Sequence, residues 1–309
     1  MSSQSGNLRR RIRGPRVFAV SDIHVDYPQN MTWVESVSPV AHREDALIVA
    51  GDVTHDLGRL ERALATLRAR FALVSFVPGN HELWVRGDDC AHSVEKFERI
   101  EALCRRLDVA MRPRRFGRPG DDAAVWVVPL QSWYVEPEEG DDSLFEPKPG
   151  EDPTLGMWSD KFFVRWPGEP GFGRPADHFL AMNEPLHRAA FDAPVITFSH
   201  MLPRGDLMRS TAEERARLGP PPPDAYPEFN FSRVAGCHGL EAQLRRAGAT
   251  VHVYGHQHRN RWREVDGVLY VSNCLGYPGR DQHANPRRLW QIWGDGADEG
   301  IHPASVTRR

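Results

Sequence analysis

The 309-residue chain has no apolar run of membrane-span length, so no segment is expected to cross a bilayer as a helix. Cysteine is sparse. Cys90, Cys104, Cys237 and Cys274 lie far apart and form no CxxC pair. A chain this long needs no disulfide scaffold, and reduced thiols in a cytoplasmic protein are the expectation. An excess of either charge is also missing. Lysine and arginine total 39 and aspartate and glutamate 42, a net charge of −3 that argues against a broad nucleic-acid or anionic-membrane surface. Lysine is nearly absent: Lys96, Lys148 and Lys161 are the only ones, so arginine carries the fixed positive charge. There is no internal repeat. The basic start has no apolar stretch of signal-peptide type after it, and residues 1–15 read as a flexible, solvated tail.

What is present is an ordinary soluble composition, 40% hydrophobic and 26% charged, that suits one domain over residues 16–309. Its organising feature is repeated. The run ALIVA, residues 46–50, turns at Gly51 and presents Asp52. A short apolar run bounded by glycine reads as a buried parallel strand. Open α/β sheets place ligands past the carboxyl ends of such strands. The same design recurs where 16–20 ends in Asp22 and His24, where 71–77 ends in Asn80 and His81, where 195–198 ends in His200, and where 251–254 ends in His256 and His258. If the chain stays extended at these tips, each D-x-H or H-x-H pair projects to one side. Helical periodicity covers 57–70 and 93–107, with shorter helices expected at 177–190 and 239–248. Runs at 261–264, 268–272 and 289–293 read as antiparallel strands, with Asp266-Gly267 as a hairpin turn. Residues 129–175 differ, being rich in proline, glycine, acid and tryptophan with weak periodicity. Trp133, Tyr134, Trp158 and Trp166 argue against disorder, so this segment reads as a lobe folded over the site.

Each tip alone has a plain explanation: an aspartate capping a turn, an asparagine in a glycine turn. Five converging tips would bring several imidazoles, two carboxylates and an amide together. That cluster is costly to bury without cations. Two metal ions account for it, and nitrogen and oxygen donors without thiolate suit Mn, Fe, Zn or Ni.

The ordered blocks SDIH, GDVTHD, GNHE, FSH and GHQH, spanning residues 21–258, resemble those of the calcineurin-like metallophosphoesterase superfamily. The resemblance implies an α/β fold of four layers, two mixed β-sheets flanked by α-helices; the 129–175 lobe carries no block and is read, from its composition, as a substrate-covering insertion. It implies that Asp22, His24 and His258 hold one metal, that Asn80, His200 and His256 hold the other, and that Asp52 bridges them. His81 would stay off the metals and act on the substrate. As an imidazolium it would either stabilise the phosphorane-like state or protonate the leaving oxygen. Ser199 stands where a glycine often precedes the lone histidine, which leaves the role of His200 intact. The implied cofactors are two divalent or trivalent ions. The leading expectation is hydrolysis, by a hydroxide shared between them, of a phosphomonoester of a small metabolite such as a nucleotide or sugar phosphate. A phosphodiesterase or nucleotide pyrophosphatase on the same site comes second, and a non-catalytic protein-binding scaffold third. The acidic balance disfavours a nuclease, and no membrane partner is expected. Arg86, Trp133, Trp158, Arg204 and Arg280 are the candidate substrate contacts, with Arg259 also near the blocks. Glu82, His55 and Asp56 read as helix-start or supporting residues.

Overall fold

The structure is a computed structural model that describes residues 14–87, 90–117, 124–168, 171–185, 190–220, 223–281 and 288–294. Most of the expected tail, residues 1–13, and part of the helix expected over 177–190 lie outside the described residues.

Strands β1 (Val17–Val20), β2 (Ala46–Ala50) and β3 (Leu73–Val77) pair in parallel. A second sheet holds β4 (Arg114–Phe116), β5 (Val125–Pro129), β6 (Val195–Phe198), β7 (Ala249–Val253), β8 (Arg261–Val265) and β9 (Val268–Ser272) in the order β4-β5-β6-β7-β9-β8. Its β5, β6, β7 and β9 are parallel, and antiparallel β4 and β8 form the edges. The last strand, β10 (Trp290–Trp293), returns to the first sheet and pairs antiparallel with β1. It was expected beside the 268–272 strand only as a further antiparallel run, and the crossing between sheets leaves no local sequence signal. The β8–β9 hairpin turns at Asp266 and Gly267, both with positive φ as a two-residue turn requires.

Alternation along the strands divides the apolar residues between layers. Val17, Ala19, Ile48 and Ala50 face Val127, Ile196, Phe198 and Val253 and form the seam between the sheets. Phe18, Val20, Leu47 and Val49 face outward onto Leu60, Leu64 and Leu67 of one helix and Ile100, Leu103 and Cys104 of another. On the far side, Val128, Val195 and Tyr270 pack with Phe179, Leu240 and Leu244. The layers therefore run helix, sheet, sheet, helix, the expected four-layer α/β sandwich.

The first flanking layer contains α1 (Pro28–Ser36), α2 (Leu57–Arg68) and α3 (Ser93–Leu107). Asp56 is the N-cap of α2, accepting from the Arg59 N–H at 2.7 Å, which is the helix-start role expected of it. Helix α1 was not anticipated, since it has no apolar stripe; Pro28 in its first turn is its clearest signal. The insertion contributes α4 (Asp160–Phe163), and α5 (Pro175–Asn183) follows, starting two residues before the expected helix. Helices α6 (Ala212–Leu218) and α7 (His238–Arg246) complete the described set. Trp133 is only 3% exposed and packs edge-on against Trp166, so it anchors the start of the insertion in the core.

Candidate metal centre

Beyond β1, β2 and β7 the chain does not stay extended. Asp22, His24, Asp52, His256 and His258 all have left-handed backbones, with φ of 49°, 46°, 55°, 70° and 53°. They are five of the eight positive-φ non-glycine residues among those described. The expectation that extended D-x-H and H-x-H pairs project to one side is therefore corrected: a left-handed turn at each residue aims the side chains. Such a backbone costs an L-residue roughly 1–2 kcal/mol and persists where surrounding structure fixes it. Hydrogen bonds across the tips do so here: Asp22 N–H donates to Gly51 O (2.9 Å) and His24 N–H to Asp52 O (3.0 Å). The motif glycines have a steric reason. A Cβ on Gly51, itself at φ +80°, would strike the His200 ring, and one on Gly79 would overlap the Asp52 carboxylate.

All seven residues nominated as ligands come together. Asp22, His24, Asp52 and His258 offer donor atoms within 4.8 Å of one another, and Asp52, His200 and His256 form a second group sharing Asp52. Asn80 joins the second group, with its Oδ1 3.2 Å from His200 Nε2. In the first, His24 and His258 point their Nε2 atoms at each other across 3.0 Å, and His258 Nε2 lies 3.3 Å from Asp22 Oδ1. Asp52 Oδ2 lies 3.4 Å from His200 Nε2 and 4.0 Å from His24 Nε2, between the two groups.

The surroundings test whether this set fits cations. His200 Nδ1 lies 2.9 Å from Ala50 O, His258 Nδ1 lies 2.8 Å from Asp281 Oδ2, and His256 Nε2 lies 2.9 Å from Val234 O. Each acceptor holds a proton on that nitrogen and leaves the opposite lone pair facing the cluster, which is how ligating histidines are oriented. The charges agree. Burial alone would raise the Asp22 carboxyl, but the facing His258 charge outweighs it and holds it at about 2. Burial likewise opposes ionisation of Asp52, yet His200 and His81 keep its carboxyl well below the usual range. Burial disfavours charge on His200 and His258, but Asp52 and Asp22 push them up to about 9 and about 10. Two buried carboxylates thus hold two protons on neighbouring imidazoles. Divalent ions would replace those protons, and the donor set fits two of them.

His81 sits beside this cluster. Its Nε2 is 3.8 Å from Asp52 Oδ2 and 3.4 Å from the Tyr277 hydroxyl, and its ring stacks on Trp84 at 3.8 Å. Burial lowers its pKa; the Asp52 charge opposes this, and the charges on His258 and His200 add to it.

Four supporting residues were missed or undervalued in the sequence. Asn30 of α1, fully buried, donates to the carbonyls of Ile23, His24 and Gly276 and ties the first tip to the last loop. Asp281 accepts from His258 and from the Tyr277 N–H. Tyr277 tilts over His24 at 4.5 Å. An aspartate and a tyrosine in a proline-glycine turn carry no sequence signal for either role. Glu82 was read as a helix-start residue, but it is a fully buried clamp. Its Oε1 accepts from Val53 N–H (2.6 Å) and Thr54 N–H (2.9 Å), and its Oε2 from Asp52 N–H (2.9 Å) and Gly79 N–H (2.7 Å). Burial and the Asp52 charge push this carboxyl up to about 7, whereas two donors on each oxygen favour the ionised form that alone can accept all four. Glu82→Gln, which turns two acceptor sites into donors facing N–H groups, should destabilise the fold by about 3 kcal/mol. Urea denaturation measures this, and a midpoint equal to wild type would contradict the clamp.

A cavity of about 520 Å³ opens onto the cluster. Asp52, Asn80, His81, His256 and His258 form one side, and Met157, Trp158, Tyr226, Phe229 and Phe231 the other. Of the candidate substrate contacts, Trp158 and Arg280 line it and Trp133, Arg86 and Arg204 do not. Arg86 lies over the Phe163 ring at 4.9 Å, Trp133 is in the core, and Arg204 is tied to Asp206 and Glu241. His55 pairs with Asp26 at 3.4 Å, outside both donor groups.

Comparison with known proteins agrees with this geometry. The chain is 28% identical over 287 residues, 88% of its own length and 81% of the relative's, to the "[Acyl-carrier-protein] phosphodiesterase PptH" of Mycobacterium tuberculosis. Its fold resembles the crystal structure of phosphopantetheinyl hydrolase from the same organism, with a TM-score of 0.67 at 24% identity over 91% of this chain and 96% of that one. The family profile described as calcineurin-like phosphoesterase matches residues 15–260, most of the chain. The chain therefore belongs to the calcineurin-like phosphoesterase family and is a phosphoric ester hydrolase.

Proposed function

We propose that this hydrolase acts on a phosphodiester whose one arm is extended and largely uncharged, and that its substrate is the phosphopantetheinyl arm of an acyl carrier protein. The observation that carries the proposal is the make-up of the cavity. Arg280 is the one lysine or arginine among the described residues that line it, and its guanidinium rests over Tyr277 at 5.3 Å. Two cations would neutralise the phosphoryl group itself, so the scarcity of other fixed charge bears on the rest of the substrate and suits an arm that carries little charge. The opposite wall is apolar and aromatic, with Met157 and Tyr226 at 44% and 46% exposure. Exposed large apolar side chains beside a reactive cluster mark a binding surface. The second expectation from sequence thus overtakes the first, and the phosphodiesterase activity of the mycobacterial relative supports the same choice.

Two cations held by the seven residues would supply an activated water and neutralise charge at phosphorus. The chain's own residues set the rest. Glu82 fixes the loop that carries Asp52, and Trp84 holds the plane of the His81 ring. His81 Nε2, close to the Tyr277 hydroxyl, is placed to give a proton to a leaving oxygen once an anionic phosphoryl group beside it has raised its pKa.

The Mn²⁺-loaded protein is offered p-nitrophenyl phosphate, bis-p-nitrophenyl phosphate and holo-acyl carrier protein. Higher kcat/KM for the diester, with loss of the prosthetic arm from the carrier protein by intact mass, is the expected result. Preference for the monoester with an intact carrier protein would overturn the proposal.

A further inference from the structure

Resting on the reading of the cluster as a two-cation site, we propose that Asp160, delivered by the insertion, is a positioning residue for both halves of the chemistry. Through one carboxylate oxygen it sets the orientation of Asn80 in the second donor group and of Trp84 behind His81.

Asp160 is 2% exposed at the start of α4. Its Oδ1 accepts from Asn80 Nδ2 at 2.9 Å and from Trp84 Nε1 at 2.6 Å. The first bond decides which way the Asn80 amide lies. With its nitrogen on the carboxylate, its oxygen faces His200 Nε2, where a cation-binding oxygen is needed. Flipped, the amide would direct its NH₂ into the cluster and leave a carbonyl against a carboxylate. The second bond fixes the indole, whose face is stacked on His81 with an interplanar angle of 28°. One buried oxygen therefore fixes both the amide that completes the second group and the ring that holds the off-cluster histidine.

The insertion is pinned in a way that makes this placement firm. Val85 N–H donates to Phe163 O at 2.8 Å and Ser93 N–H to Arg165 O at 2.7 Å. The Ser93 hydroxyl donates to Leu83 O and accepts from Arg165 N–H. Phe163 packs against the Trp84 ring and under the Arg86 guanidinium. Arg86, nominated from sequence as a substrate contact, thus has a structural partner in the insertion. Residues 160–165 are stitched to residues 83–86 and to Ser93, so this edge of the insertion is part of the site's wall.

The test uses the full-length protein loaded with Mn²⁺. Asp160→Ala is expected to weaken the second of two Mn²⁺ equivalents by about 10–100-fold and to lower kcat on bis-p-nitrophenyl phosphate by a similar factor, as for lost support behind a ligand. Asp160→Asn keeps a carbonyl that can accept both donors, and its loss is expected to stay within about 5-fold. Trp84→Phe keeps the ring on His81 but removes the N–H, so kcat should fall about 10-fold while both Mn²⁺ equivalents are retained. That variant carries the test if Asp160→Ala does not fold. Two Mn²⁺ bound at wild-type affinity with wild-type kcat in Asp160→Ala, or wild-type kcat in Trp84→Phe, would overturn the inference and leave the two-cation reading standing. A wild-type protein that binds no pair of Mn²⁺ would remove both.

Discussion

Asp52→Asn is expected to lower kcat/KM by at least about 10³-fold and to leave the protein unable to hold two cations at once. Asp52 is the one carboxylate common to both donor groups, 3.4 Å from His200 Nε2 and 4.0 Å from His24 Nε2. An amide presents one oxygen in place of two and carries no charge, so it cannot neutralise a pair of cations. Losing that charge stabilisation costs several kcal/mol, and about 4 kcal/mol corresponds to about 10³ in rate. The proton balance changes with it. The raised pKa of His200 depends on Asp52, so the variant should release its His200 proton at lower pH than wild type. Elemental analysis after dialysis, with kinetics on the same sample, measures both effects. Two tightly held equivalents in Asp52→Asn would refute the shared role. His55→Ala, on a residue outside both groups, should keep both metals.

His81→Ala is expected to lower kcat by roughly 10²–10⁴-fold with metal content unchanged, the range for a lost general acid. His81 lies close to Asp52 but belongs to neither donor group. The pH profile should carry a further signature. Burial and the His258 and His200 charges lower the His81 pKa in the free protein, while a bound phosphoryl anion raises it again. In the proposed role as general acid the protonated form is the active one, so activity should be lost as pH rises through the pKa. That loss should reach kcat/KM, which reports the free enzyme, at lower pH than it reaches kcat, which reports the complex. Both alkaline limbs should disappear in His81→Ala, and a variant that turns over at the wild-type rate would remove His81 from the chemistry.

How much of this was legible depends on whether a feature is local. Each apolar run of four or five residues followed by glycine, aspartate, asparagine or histidine is local, and such runs placed all seven nominated residues at strand tips that converge. The four layers came from the resemblance of the ordered blocks to the calcineurin-like superfamily, and alternation along the same strands, with the helical stripes of α2 and α3, agrees with them. The left-handed backbones at Asp22, His24, Asp52, His256 and His258 were not legible, because neighbouring tips impose them. Glu82 was visible as a motif residue, yet its value lies in N–H groups from two separate loops meeting around it. Asp160 and Asp281 stand in stretches without periodicity and acquire meaning only from the side chains opposite, 80 residues from Asn80 in one case and 23 from His258 in the other. Trp133, Arg86 and Arg204 were chosen by residue type and proximity in sequence, and packing sent them elsewhere.

The central claim is that this chain holds two cations that share Asp52. Electron paramagnetic resonance of the protein titrated with Mn²⁺ tests it most directly. An exchange-coupled dinuclear signal that grows in at two equivalents and is lost in Asp52→Asn is the predicted result. An uncoupled mononuclear signal that saturates at one equivalent in the wild-type protein would contradict it.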